Sequence, residues 1–296
     1  MIRVAVFAPP NFEPLARLPH DPDLQFGESV DGADAILMSP RYGATLRELW
    51  PRMTSVRWIH SLGAGVETFP FDLLRQRDIA VTNSRGIYAD GLAEFVIAAM
   101  LWFAKDFPRL IRNQAARRWE PYTVERLQGA TAGIIGYGEV GRAVGRRAEA
   151  LGMHTLTLRR HGGTPIDDLI AASDYLVLST ALTPETRKLI DSGRIARMRP
   201  NAVLINVARG AVVDEAALVE ALQQKRIRGA ALDVFEIEPL PAESPLWGLD
   251  NALVSPHTAD HAADSHERAM DLFLRNLAHF RRGEPLENVV DKESGY

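Results

Sequence analysis

Three ionisable side chains follow runs of strand-forming residues in the second half of the chain. Arg209 stands in AVLINVARGAVVDEAAL (from Ala202), Glu238 in GAALDVFEIEPLP (from Gly229) and His257 in LVSPHTAD (from Leu253). Open α/β sheets present their binding crevice at the carboxyl ends of their strands, so these three groups are expected to meet there. Singly, each has a plainer reading: a surface arginine, a loop carboxylate before Pro239, a histidine that merely follows Pro256. Together they suit hydride transfer to a carbonyl beside a carboxylate, which needs a cation for the carboxylate and a proton for the nascent alkoxide. Arg209 supplies the cation in fork geometry. His257 moves the proton, and a carboxylate such as Glu238 beside it would orient the ring.

The hydride donor has its own signature. Gly136-Tyr137-Gly138-Glu139-Val140-Gly141 follows the strand-like TAGII and precedes the helical RAVGRRAEALG, the context that turns a GxGxxG into a dinucleotide-binding loop. Gly136 permits the turn, Gly138 lets backbone approach a pyrophosphate, and Gly141 lets helix and strand pack closely. The helix N-terminus then offers N–H groups and a positive dipole to the anion. At the end of the next strand, where NAD enzymes place a carboxylate against the ribose 2′-hydroxyl, stand Arg159 and Arg160, followed by His161-Gly162-Gly163. A guanidinium pairs with a 2′-phosphate that a carboxylate would repel, so NADP is expected in preference to NAD. A further anion nest is read at Leu62, Gly63, Ala64 and Gly65 after the strand-like VRWIH, placed to hold a substrate carboxylate opposite Arg209; its plainer reading is a strand-to-helix turn.

These groups need a scaffold, and its pattern is legible. Apolar runs at Ile2–Phe7, Ala35–Met38, 56–59, Thr131–Ile135, 155–158, Tyr175–Leu178, 203–205 and 230–232 alternate with helical stretches, the sign of parallel strands with helical crossovers. Between the two groups of strands, 91–105 (GLAEFVIAAMLWFAK) is apolar nearly all round, as expected of a helix buried on every side, within the chain or by a second copy. We expect a homodimer. Residues 262–282 read as one long helix ending at Gly283. With no Gly/Ser linker, the two domains are expected to be tightly hinged about a cleft.

Composition bounds the partners. The chain has 296 residues, 46% of them hydrophobic, and 34 Lys+Arg against 38 Asp+Glu, which leaves a net charge of -4. There is material for a large core and no basic field for nucleic acid or anionic membrane. Cysteine is absent, which excludes thiolate catalysis and cysteine-ligated metals. With neither a leader-like N-terminus nor a membrane-length apolar run, the expected location is the cytoplasm.

The whole set of motifs resembles the D-isomer-specific 2-hydroxyacid dehydrogenase family: SLGAGVE, NSRGIYADGLAEF, GIIGYGEVG, TALTPETRKLI from Thr180, NVARGAVVDEAAL, ALDVFEIEPLP, SPHTA and GEPLENVVD occur in order over nearly the full length. The resemblance implies an α/β protein of two domains. A Rossmann-type doubly wound parallel sheet (92–264) is inserted in a flavodoxin-like substrate domain (1–91 and 265–296), and a homodimer forms through the cofactor domains. It makes Arg209 the substrate arginine, Glu238 the partner of the histidine and His257 the acid/base. It puts Glu139, Val140, Arg159, Thr180, Val207, Ala208 and Asp233 against the cofactor, Asp233 near the nicotinamide carboxamide. Two departures stand out: Arg159 replaces the acidic strand-end residue of NAD-using members, and Asp260 replaces the glycine that usually follows SPHTA. The basic strand end and compact length are similar to the glyoxylate/hydroxypyruvate reductases, whereas formate dehydrogenases carry glutamine at the position of Glu238.

Two rival readings carry less. His257, Asp260, His261, Asp264 and His266 lie within ten positions and include histidines at helical spacing, but Pro256 and the loop character before Ala262 argue against a zinc site, and Asp264 or Ser265 is read as a helix cap. A non-catalytic dinucleotide sensor needs the glycine loop but has no use for an acid/base pair. Arg112, Arg117 and Arg118 read as a solvated helical face.

Overall fold

Strands apolar at every position need cover on both faces, and two such sheets are present in the computed structural model, which describes residues 1–9 and 11–295. The chain divides into two compact units, Met1–Tyr88 with Ala262–Tyr296, and Ala89–His261. The boundaries expected from sequence, 91/92 and 264/265, fall three residues further along at each crossing.

In the first unit β1 (Ile2–Phe7), β2 (Leu24–Gly27), β3 (Ala35–Met38), β4 (Trp58–Ser61) and β5 (Ala80–Asn83) form a parallel sheet in the order β2-β1-β3-β4-β5. The helix Ser265–Arg282 lays Ala269, Met270, Phe273 and Leu277 against Val4, Ala35, Leu37 and Trp58 of this sheet. It ends where Gly283 takes φ 68. The helix starts three residues later than its pattern suggested, and Asp264, at the N-cap position, makes no side-chain capping bond. The tail then covers the sheet edge, with Asn83 N–H donating to Asn288 O at 3.2 Å and Val290 N–H to Val81 O at 2.8 Å.

In the second unit β6 (Thr131–Ile135), β7 (His154–Leu158), β8 (Tyr175–Leu178), β9 (Val203–Asn206), β10 (Gly229–Leu232) and β11 (Ala252–Val254) are all parallel, in the order β11-β10-β9-β8-β6-β7. Side chains alternate between two cores. Ile134, Val177, Val203, Ile205 and Ala231 pack with helices Ala89–Ala104 and Glu139–Ala150, whereas Ile135, Leu176, Leu178, Leu204 and Leu232 face Leu169, Leu218 and Leu222. This period of two, with both faces apolar, is why the strands read as continuous hydrophobic runs. β6 pairs with β7 on one side and β8 on the other, so the chain reverses its direction of travel across the sheet at β6. That point is where such sheets open a crevice beyond their strand ends.

The helix Ala89–Ala104 is covered only in part within the single chain. Ala93, Val96, Met100 and Phe103 are buried, but Leu92, Phe95, Leu101 and Trp102 are only half-buried in the single chain. Its uniform apolarity therefore reflects one core stripe plus an incompletely covered flank. β2 and β5 went unread because they are short and interrupted by polar residues. No helix among the described residues is long and apolar enough to cross a membrane.

Candidate active site

At the crevice of the second unit, Gly136 sits at the carboxyl end of β6 with φ 93, and a Cβ there would meet the backbone of Ser179 and Thr180 at 2.6 Å. Only glycine permits both the dihedral and the approach. Gly141 is equally constrained, its Cβ position 2.3 Å from Gly136 O, whereas a Cβ on Gly138 would meet nothing within 4 Å. Gly138 is therefore open towards whatever the loop receives. The loop amides of Tyr137 and Gly138 donate to no group among the described residues. With the N-terminus of helix Glu139–Ala150 behind them, they fit a pyrophosphate. Glu139, at the helix start, is paired with Arg142, so its charge is offset where an anion would come. Val207 and Ala208, beyond β9, are buried, and Ala208 N–H donates to the Asn206 side chain at 3.0 Å.

The strand ends β9, β10 and β11 carry the remaining groups. Asn206, missed from sequence, holds the Arg209 segment through a bond from its Nδ2 to Arg209 O at 3.0 Å. Arg209 Nη1 donates to Ala208 O at 2.6 Å. Gly210, next in line, passes so close under the loop after β10 that its Cβ would lie 1.8 Å from Phe235 C. That loop brings Glu238 back: Oε1 accepts from Phe235 N–H at 2.9 Å, and Oε2 faces His257 Nδ1 at 2.8 Å. An ionised carboxylate only accepts, so Nδ1 carries the proton and donates, leaving Nε2 to exchange a proton with a ligand. Both side chains keep solvent access, 43% for His257 and 36% for Glu238, so Nε2 can be reached from outside.

His257 itself takes φ 55, a left-handed conformation that few non-glycine residues adopt. Asp233 imposes it. Its Oδ1 accepts from Ser255 Oγ at 2.6 Å, Thr258 N–H at 2.9 Å and Ala259 N–H at 3.0 Å, bracketing the histidine. Burial pushes the Asp233 carboxyl above the ordinary aspartate value in spite of these bonds. Ser255 was another residue that sequence reading passed over; a serine beyond a strand end carries no distinguishing pattern. Asp260 creates no strain in this loop, since positive φ falls on His257 and not on residue 260. Among the described residues no group of three or more His, Asp or Glu side chains is gathered to hold a metal ion.

In the first unit, the turn after β4 has its carbonyls engaged: Leu62 O by Tyr88 Oη, Gly63 O by Ser84 N–H at 3.0 Å and Ala64 O by Asn83 Nδ2 at 2.7 Å. The amides of Ala64 and Gly65 donate to no group among the described residues, which is how an anion nest is built.

Comparison with known proteins agrees with this geometry. Residues 97–259 match the family model for the NAD-binding domain of D-isomer-specific 2-hydroxyacid dehydrogenases. Glyoxylate reductase of Korarchaeum cryptofilum is 33% identical over 285 residues, spanning 90% of this chain and 85% of that protein. Glyoxylate reductase of Pyrococcus furiosus is 32% identical over 288 residues, 90% and 84% of the two chains. Among solved structures, a D-isomer-specific 2-hydroxyacid dehydrogenase of Xanthobacter autotrophicus in complex with NADPH and MES superposes with a TM-score of 0.84 at 30% identity, covering 100% of this chain and 99% of that one. The chain belongs to the D-isomer-specific 2-hydroxyacid dehydrogenases, two-domain oxidoreductases that use a nicotinamide dinucleotide.

Proposed function

We propose that this protein reduces a small 2-oxo acid, of glyoxylate or hydroxypyruvate type, to the D-2-hydroxy acid, with NADPH in preference to NADH supplying the hydride. His257 Nε2 delivers the proton to the developing alkoxide, Glu238 keeps the ring in the right tautomer and balances the charge it carries before transfer, and Arg209 binds the carboxylate. Val207, Ala208, Thr180 and the glycine loop line the dinucleotide side, with Asp233 beneath the nicotinamide end. The amides of Ala64 and Gly65 offer anion-binding groups in the first unit, whereas those of Leu62 and Gly63 are spent on Met38 O and Ser61 Oγ. The observation that carries the reading is the Glu238–His257 pair at 2.8 Å, held beyond the same sheet edge as the glycine loop.

An enzyme that oxidises NADPH works where that cofactor is kept reduced, which favours the cytoplasm. A homodimer through the second unit accounts for the half-covered flank of helix Ala89–Ala104 and for Trp119, which is 96% exposed in the single chain. Initial rates of NADPH and NADH oxidation, with glyoxylate, hydroxypyruvate, pyruvate and phenylpyruvate as acceptors, test the reading. Turnover with a 2-oxo acid, faster with NADPH, is expected. Tight cofactor binding without oxidation by any acceptor would overturn it in favour of a dinucleotide sensor.

A further inference from the structure

We propose that Tyr137 determines dinucleotide specificity as a positioning residue, its ring holding the Arg159 guanidinium ready for the 2′-phosphate of NADPH. The inference rests on the NADPH preference proposed above. Tyr137 lies between the first two glycines of the dinucleotide loop, and Arg159 is the first residue after β7. The guanidinium carbon stands 5.0 Å from the centre of the tyrosine ring, within the range of a cation–π contact.

Both partners are anchored. The end of β7 is tied to the glycine loop by Gly136 N–H donating to Leu158 O at 3.0 Å, and the turn that follows closes through Arg159 N–H to Gly162 O at 3.0 Å. Gly163, φ 109, completes that turn, with its Cβ position only 2.3 Å from Thr157 O. The tyrosine ring is seated against the next helix: a Cβ on Gly145 would lie 2.7 Å from its hydroxyl oxygen and 3.1 Å from Cε2. Gly145 therefore makes room for Tyr137, and Tyr137 makes a platform for Arg159.

A cation–π contact asks for no oxygen acceptor, so it leaves the guanidinium N–H groups unspent. Among the described residues the Arg159 side chain makes no other contact by hydrogen bond or ion pair. An exposed arginine is ordinarily spread over many rotamers, and ordering it on binding weakens the phosphate contact. The ring removes part of that cost beforehand. Arg160 differs, because its field falls on Glu185, whose carboxyl is held below its ordinary value first by Thr183 and its own amide and then by Arg160. The unengaged fork at this strand end is Arg159, with His161 exposed beside it in the turn.

The test is equilibrium binding of NADPH and of NADH, by titration calorimetry, to the wild type, Arg159→Ala, Tyr137→Leu and Tyr137→Phe, each checked for folding by thermal melting. We expect Arg159→Ala to abolish the preference for NADPH, Tyr137→Leu to weaken NADPH about three- to tenfold with NADH unchanged, and Tyr137→Phe to bind as the wild type does. Gly145→Ala, which displaces the ring from the helix side, should act as Tyr137→Leu does and serves if that variant fails to fold. A wild type without preference, or an Arg159→Ala variant that keeps it, overturns the NADPH reading and this inference with it. Loss of preference in Arg159→Ala alone, or equal weakening of both cofactors by Tyr137→Leu, overturns the role of Tyr137 and leaves the NADPH reading standing.

Discussion

His257 is held by two carboxylates in different ways: Glu238 through its Nδ1 at 2.8 Å and Asp233 through the backbone on either side of it. The two have separable consequences. His257→Ala should lower kcat by about a thousandfold while leaving dinucleotide affinity within about twofold, because a proton-transfer group touches the reacting atom and not the cofactor's anchoring groups. Stopped-flow reduction beside a binding titration checks this. Asp233→Ala leaves a buried hydroxyl and two amides without their acceptor and frees His257 from its left-handed conformation. We expect about 2–4 kcal/mol of lost stability in urea melts. Activity should fall by an amount that Glu238→Gln, which keeps the loop, does not reproduce in stability.

Loops beyond the strand ends are fitted to one another through glycine. At Gly210 the obstacle to a side chain is the backbone at Phe235, 1.8 Å from the Cβ position, so neither partner can step aside without moving Arg209 or the Glu238 loop. Gly210→Ala should therefore cost about 1–3 kcal/mol and lower activity by more than that loss explains. Gly138 is the converse, since its Cβ would enter open space. Gly138→Ala should melt within about 0.5 kcal/mol of the wild type yet weaken dinucleotide binding markedly, since the added methyl occupies the path of the pyrophosphate. If Gly138→Ala binds dinucleotide normally, the loop is not the phosphate cradle. These close approaches also explain why the site was only half legible. GxGxxG and the strand-loop motifs can be read from spacing, whereas the Ser255–Asp233 bond and the crossing of Gly210 beneath Phe235 join segments more than twenty residues apart, and the local bonds of Asn206 depend on a backbone turn that spacing does not reveal.

At the scale of the molecule, the first unit buries a polar group in its core. His60 Nδ1 lies 2.7 Å from Thr82 Oγ1, the hydroxyl oxygen to which Trp58 Nε1 donates at 2.9 Å, and burial pushes the imidazole down to about 3. The unfolded chain takes up this proton near ~6.5 and the folded chain does so only near 3, so between these values the unfolded state binds more protons. Stability from this group is whole above ~6.5 and declines as pH falls towards 3, by on the order of a few kcal/mol. Denaturant melts of wild type and His60→Leu at pH 7 and pH 4 should show the wild type losing more between the two. For the second unit, light scattering should give the mass of two chains. Replacing Trp119 and Leu101 by charged residues should shift it to one; a wild type that already runs as one chain ends the dimer proposal.

The sequence by itself determined the fold class and the dinucleotide-binding character of the second half, and it singled out the candidate chemical groups. Strands buried on both faces must be continuous in apolar residues, helical crossovers must alternate with them, and a glycine forced into close approach cannot be replaced without leaving a mark. Arg209, Glu238 and His257 were visible for the same reason, as charged residues just beyond apolar runs. Only the tertiary structure decided that Glu238 meets the Nδ1 side of the histidine and binds Phe235 N–H, that Asp233 sets the conformation of residue 257, and that Tyr137 lies beneath Arg159. Those outcomes depend on where the loops beyond separate strands come to rest, and a one-dimensional pattern carries the period of a strand or helix but not the direction of a side chain at its end.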